Sequence, residues 1–114
     1  MARRRFLLEI GSGVDLNGMD YTKAARRAIE DAMRRTSLCF VEHQMAGSGD
    51  RVYVNAIVGV PNPQAVSKEA LQDAFPFGQV DLQVVRGGLE FNPGDPEDQP
   101  VVANAIVSVE MDVL

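Results

Sequence analysis

Two stretches of the chain alternate apolar and other residues over a length typical of a β-strand. From Arg51 to Val60, every second residue is valine or alanine, and from Val101 to Met111 every second residue is valine, alanine or methionine. Because successive side chains of a strand point to opposite faces, each stretch has one apolar face that must be covered. A sheet with one buried face therefore forms the centre of the expected fold.

The segment from Asp20 to about Arg35 supplies that cover, because its apolar residues recur at helical spacing. Asp20 is the expected N-cap, since its carboxylate can accept a hydrogen bond from a free backbone N–H of the first turn. A shorter second helix is expected from Ser67 to about Ala74. The apolar stripe of the first helix consists of Tyr21, Ala24, Ala25, Ala28, Ile29, Ala32 and Met33.

Shorter alternating runs predict further strands, separated by glycine and proline residues that mark turns. We expect Gly11-Ser12-Gly13 to end the first strand, and Gly87-Gly88 to form a bulge or sharp bend. The element order is then β-α-β-β-α-β-β, an α+β fold in which two helices cover one face of a mainly antiparallel sheet. We expect residues 1–114 to form a single domain. The shorter strands are expected at residues 5–10, 38–43, 80–86 and 89–91.

The net charge and the single cysteine indicate which partners and which cellular compartment suit the chain. A formal net charge of −5 argues against general nucleic-acid binding, which needs a basic surface. Arg3, Arg4 and Arg5 are interpreted as a solvated tail rather than a phosphate-binding arm. Cys39 has no partner for an intramolecular disulfide, which fits a reducing compartment. No apolar run approaches the length of about 20 residues that spans a bilayer, so we expect a cytoplasmic protein.

The sheet face turned away from the helices is the most informative feature of this sequence. It mixes large apolar residues with amides and a few carboxylates, whereas a face left to water is usually charged. We expect a homo-oligomer whose sheets pack face to face; a half-exposed sheet with scattered apolar residues is the alternative. The predicted face comprises Leu7, Glu9, Tyr53, Asn55, Ile57, Asp81, Gln83, Val85, Val102, Asn104, Ile106, Ser108 and Glu110.

The loop predicted between Gly11 and Asp20 is a candidate ligand site, because it joins a strand to a helix N-terminus. Glycine lets backbone N–H groups face inward, and the helix dipole favours an anion there. The spacing of Gly11 and Gly13 lacks the third glycine of a dinucleotide fingerprint. A tight structural loop, whose glycines adopt positive φ, explains the same residues equally well.

Other reactive side chains receive structural interpretations. His43 as a general base and Cys39 as a reactive thiol are less favoured than a surface histidine and a core cysteine. Asp95, Glu97 and Asp98 match no calcium loop and are interpreted as a solvated acidic segment. No His/Cys cluster is present, so no metal site and no cofactor are expected.

The run Gly11-Ser-Gly13-Val-Asp15-Leu-Asn17-Gly18 resembles the G-x-G-x-D-x-H-G signature of a family of short bacterial and plant conserved hypothetical proteins of unassigned function. The resemblance continues through Thr22–Ala25, Gly59–Pro61 and Gly87–Glu90, so it covers nearly the whole chain. Asn17 replaces the histidine of the family; asparagine keeps a hydrogen-bonding side chain but cannot titrate. The resemblance therefore indicates which family the chain is related to, but it implies no activity.

A weaker resemblance links the chain to trimeric chorismate mutases, reactive-intermediate deaminases and cyanuric acid hydrolases. It implies a trimer around packed sheets, with small-molecule sites between subunits. We therefore expect a small-molecule-binding homo-oligomer, with the question of enzymatic activity open and a small polar or anionic metabolite as the ligand. The alternative is a non-catalytic protein-binding or regulatory module that uses the open sheet face. The candidate catalytic residues are Asp15, Lys23 and Glu9, and the candidate ligand-binding residues are Gly11, Gly13, Asn17, Gly18 and Arg86.

Overall fold

A computed structural model of the protein describes residues 2–34, 52–91 and 99–113. The predicted strand at residues 38–43, with Cys39 and His43, lies outside the described residues, as do Asp95, Glu97 and Asp98. The described elements are β1 (Ala2–Asp15), α1 (Tyr21–Arg34), β2 (Val52–Val60), 3-10 helices at Pro63–Ala65 and Glu69–Ala74, β3 (Gln79–Arg86), β4 (Leu89–Glu90) and β5 (Val101–Val113).

The five strands form one sheet in the order β1-β5-β2-β3, and β4 also pairs with β5. Strand β5 runs antiparallel to β1, β2 and β4, whereas β2 and β3 are parallel. Strands β1 and β2 therefore point in the same direction on either side of β5, which makes β1-α1-β2 a split β-α-β unit. The α+β class is confirmed, and the sheet is mixed rather than purely antiparallel.

The core lies between α1 and the sheet, as the two periodicities predict. Every member of the helical stripe except Tyr21 is buried, and the cap is confirmed: Asp20 Oδ1 accepts a hydrogen bond of 3.0 Å from the backbone N–H of Lys23. The second helix is a 3-10 helix that buries Leu71 against the same core. Ser67 precedes this 3-10 helix, and its Oγ accepts a hydrogen bond from the backbone N–H of Ala70 in the first turn. With six residues this helix is longer than most 3-10 helices, which rarely exceed about four residues.

The prediction that Gly11-Ser12-Gly13 ends the first strand is wrong, because β1 continues to Asp15 and pairs with β5 throughout. The reason is the helix above it. A Cβ atom on Gly11 would lie 2.3 Å from the carbonyl oxygen of Ala28, and one on Gly13 would lie 2.3 Å from that of Ala24. The two glycines are therefore sites where strand and helix backbones approach each other closely.

The two faces of β1 are also the reverse of the predicted ones. Gly11 and Gly13 must face α1, so alternation places Leu7 and Glu9 on the helix side and Leu8 and Ile10 on the open face. The register shifts between Arg5 and Leu7, and the arginines predicted as a tail belong to β1 itself. The open face therefore carries more apolar surface than the sequence indicated.

The bend predicted at Gly87-Gly88 is confirmed. Strand β3 lies outside β2, and the chain then crosses inward so that β4 pairs with β5 beyond the end of β2. The Gly87 N–H donates to Val60 O at 2.9 Å. Gly88 has φ +66°, and a Cβ atom there would lie 2.1 Å from Val102 O, so the crossing requires glycine.

Replacing Gly13 with alanine tests the close helix contact. Gly13→Ala is expected to lower the free energy of unfolding by about 3 kcal/mol, because the added methyl group must displace α1 from the sheet. Ser12→Ala, on the exposed side of the same strand, is the matched control and should change that free energy by less than about 0.5 kcal/mol. Urea denaturation measures both. Equal, small effects of the two substitutions would contradict the described contact.

Candidate functional site

The carboxyl ends of β1, β2 and β3 lie along one edge of the sheet, here called the carboxyl edge, beside the N-terminus of α1. Sheets with parallel strands commonly bind ligands at such an edge. Asp15 of β1 and Glu90 of β4 are both register partners of Val101 in β5. The two carboxylates therefore lie on the helix side of the sheet with one strand between them, about 10 Å apart.

Asp15 is buried, with only 3% of its surface exposed. Its Oδ2 accepts a hydrogen bond of 2.9 Å from the backbone N–H of Asp20, and its Oδ1 lies 3.7 Å from Lys23 Nζ. The first contact ties the end of β1 to the residue that caps α1. Asp15 therefore holds the connecting loop in place, and it orients Lys23 through the ion pair.

A small depression of about 240 Å³, here called the loop pocket, opens beside Asp15. Gly18 with φ +89° and Met19 with φ +52° form the turn of this loop, so Gly18 has a conformational role. The structure thus brings together three of the predicted site residues, although their binding of a ligand stays a prediction. The loop pocket is lined by Asp15, Leu16, Asn17, Lys23 and Arg27.

The remaining predicted residues lie elsewhere. Glu9 is six strand residues from Asp15, which is about 20 Å along β1, so it cannot act together with Asp15 and Lys23. Gly11 and Gly13 face the helix backbone and leave no space for a ligand. Anion binding by this segment stays a prediction, and its residues from Asp15 onward are the ones that line a pocket.

A larger depression of about 570 Å³, here called the edge pocket, lies at the same carboxyl edge. It contains the predicted residue Arg86 together with four polar residues that the sequence did not single out. In the sequence, Tyr21 belongs to the apolar stripe of α1, and the position of Glu90 depends on the crossing at Gly87-Gly88. The edge pocket is lined by Tyr21, Pro61, Asn62, Pro63, Gln64, Arg86 and Glu90.

Tyr21 and Glu90 form the one hydrogen-bonded side-chain pair among the described lining residues of this pocket. The Tyr21 hydroxyl donates to Glu90 Oε1 at 2.8 Å. Partial burial, and after it the hydrogen bond and the negative charge of Glu90, raise the pKa of the Tyr21 phenol above its ordinary value. Tyr21 therefore remains a donor at neutral pH and fixes the orientation of the carboxylate.

The open face of the sheet carries a row of three isoleucines, here called the isoleucine row. Ile106 of β5 pairs with Ile10 of β1 and with Ile57 of β2, so the three side chains stand next to one another. The exposed fraction of the residue is 59% for Ile10, 46% for Ile106 and 43% for Ile57. A shallow depression of about 280 Å³ beside them extends to Val85 and Arg86. This face is apolar at its centre.

Fold and sequence together place the chain in a family. It belongs to the conserved hypothetical protein family Lin0512_fam, whose model matches residues 5–109. A crystal structure from Nostoc punctiforme PCC 73102, described as an FtsZ-like protein of unknown function, is similar to this chain. The two share 30% sequence identity over 99% of each chain, with a TM-score of 0.83. A comparison with curated proteins finds no match.

The structure gives most of the glycine-rich signature a structural meaning. Gly11 and Gly13 admit the helix, Asp15 closes the loop and Gly18 turns the chain. Asn17 lines the loop pocket, and it is where this chain departs from the histidine of the signature. The resemblance to the trimeric fold group stays a prediction, because neither match bears on it.

Replacing Glu90 with glutamine tests the Tyr21–Glu90 pair. Glu90→Gln is expected to lower the pKa of Tyr21, because the negative charge is lost while partial burial remains. A pKa raised by folding stabilises the protein below about pH 10, and that contribution is lost as the pH rises. The variant should therefore lose less stability at alkaline pH than the wild type does.

An absorbance titration of the phenolate, with Tyr21→Phe subtracted, measures this pKa. Glu69→Gln, on an exposed part of the 3-10 helix, is the control and should leave the titration unchanged. An unchanged Tyr21 midpoint in Glu90→Gln would show that the pair does not form in solution.

Proposed function

We propose that the protein is a cytoplasmic homo-oligomer that assembles through its open sheet face and binds a small polar or anionic molecule at the carboxyl edge. The exposed isoleucine row is the observation that carries the assembly proposal. Proteins that act as monomers rarely present a contiguous apolar patch of this kind. Burying three half-exposed isoleucines against a partner would contribute about 1 kcal/mol for each side chain.

Two polar side chains on this face, Asn55 and Tyr53, are already satisfied within the chain, which favours its burial against a second copy. The Asn55 amide donates to Glu110 Oε1 at 2.9 Å, and the Tyr53 hydroxyl donates to Asp112 Oδ2 at 2.8 Å. Covering them would therefore not leave these donors without partners. A trimer is the state expected from the weaker fold-group resemblance, and we retain it as the proposed state.

The small-molecule proposal rests on the polar depressions at the carboxyl edge. In the loop pocket, Lys23 offers a half-exposed cation and Asn17 an amide, while Asp15 positions Lys23. Arg86 offers a second cation in the edge pocket. Glu9 has no part in this proposal because of its distance from both pockets. Within the described residues, no helix combines the length and apolar character needed to span a bilayer.

A charge at the centre of the isoleucine row tests the assembly proposal. Ile106→Glu is expected to convert the oligomer into a folded monomer, because burial of an unpaired carboxylate opposes association. Light scattering behind a sizing column gives the mass, and circular dichroism confirms the fold. The matched control is Leu16→Glu, which changes a more exposed apolar residue away from the open face and should keep the oligomeric mass.

The mass of the wild-type protein decides between the two candidate functions. Three chains support the trimer, and any other homo-oligomer supports the assembly without that number. A monomeric wild type would contradict the assembly proposal. The open face would then favour the alternative function, a non-catalytic module that receives a different protein.

A further inference from the structure

We infer that the edge pocket binds a small zwitterion of the amino-acid class, with the ligand carboxylate on Arg86 and the ligand ammonium group on Glu90. This inference rests on the proposed function, since it names the ligand class for the carboxyl edge. It differs from the sequence-based expectation, which centred on Asp15 and Lys23. The cation, the anion and the walls of the pocket each support it.

The guanidinium group of Arg86 has no partner among the described residues. Within residues 2–34, 52–91 and 99–113, the Arg86 side chain makes no hydrogen bond or ion pair. Two arginines of α1 differ in this respect, because Arg26 pairs with Asp73 and Arg34 pairs with Asp31. A guanidinium group binds a carboxylate through two parallel hydrogen bonds, so Arg86 is suited to hold the acid group of a ligand.

The carboxylate of Glu90 is oriented by one hydrogen bond but has further acceptor positions available. Glu90 receives one short hydrogen bond, from the Tyr21 hydroxyl to Oε1. A carboxylate offers about four acceptor positions, so others remain for a ligand donor. Because Tyr21 supplies only a neutral donor, the negative charge of Glu90 is left without a cationic partner among the described residues. A ligand ammonium group would provide one.

The walls of the pocket are rigid and polar. Pro61 and Pro63 fix the backbone on either side of Asn62, and the N–H of Ala65 donates to Asn62 O at 3.2 Å. The side-chain amides of Asn62 and Gln64 line the space and can both donate and accept hydrogen bonds. A volume of about 570 Å³ suits a small molecule, and a preformed wall reduces the entropy lost on binding.

The two opposite charges select the ligand class. A simple anion on Arg86 would be repelled by Glu90, and a simple cation on Glu90 would be repelled by Arg86. A molecule with both charges satisfies both groups, and the repulsion works against each singly charged competitor. The separation of the two charges in the ligand must match that of the two side chains.

A series of ω-amino acids tests this inference. Glycine, β-alanine and γ-aminobutyrate are titrated into the full-length protein, with acetate and methylammonium as singly charged controls. Binding is followed through the side-chain amide NMR signals of Asn62 and Gln64. We expect at least one ω-amino acid to bind about tenfold more tightly than either control. Equal affinity for acetate, or no shift of these two amides with any probe, would overturn the inference.

Variants of the two charged residues identify their roles. Arg86→Gln and Glu90→Gln should each weaken binding of the best probe about tenfold or more, since each removes a charge-assisted hydrogen bond. Arg86→Lys keeps the charge without the planar fork and should recover part of the affinity. Arg34→Gln, at the far end of α1, is the matched control and should bind like the wild type. Unchanged affinity in Arg86→Gln would contradict the inference.

The same titration separates this inference from the proposed function. All the described lining residues of the pocket come from one chain, so the Ile106→Glu variant should still bind the probes even if assembly is lost. Binding by a monomeric wild type would support the pocket and contradict the assembly. A shift at the Asn17 amide without one at Asn62 or Gln64 would place the ligand in the loop pocket, which overturns the inference and keeps the small-molecule function.

Discussion

The close contact between the β1 glycines and helix α1 determines how the surrounding elements are arranged. Because Gly11 and Gly13 carry no side chains, the backbone of α1 occupies the space that their Cβ atoms would need. That contact fixes which face of β1 is buried, and alternation then turns Leu8 and Ile10 outward. The same contact keeps the start of α1 beside the end of β1, where Asp15 receives the Asp20 N–H.

The two halves of the proposed function follow from this arrangement. Because Ile10 of β1 points outward, it joins Ile106 of β5 and Ile57 of β2 in the isoleucine row. This row is the apolar face proposed to bind a second copy. The helix start brings Tyr21 within 2.8 Å of Glu90, on the opposite side of Val101 from Asp15. Arg86 borders both the edge pocket and the depression on the open face, so the proposed ligand site lies next to the proposed assembly surface.

Sequence patterns predict the helices and strands better than they predict the contacts between them. The α1 stripe and the alternation in β2 and β5 report local geometry, and the structure confirms them. Glycine in β1 was misinterpreted because its turn preference is local, whereas its contact with α1 joins residues far apart in sequence. Loop-pocket residues could be predicted since they are sequence neighbours. The pairing of Tyr21 with Glu90, 69 residues apart, depends on the strand register that no local pattern contains.

The proposed burial of the open face can be measured through the solvent accessibility of the isoleucine methyl groups. The chain has four isoleucines: Ile29 is fully buried in the core, and the other three form the isoleucine row. Methyl NMR in the presence of a soluble paramagnetic agent compares them within one sample. If the sheets pack face to face, Ile10, Ile57 and Ile106 will be protected nearly as well as Ile29. Strong relaxation of all three, with Ile29 unaffected, would contradict it.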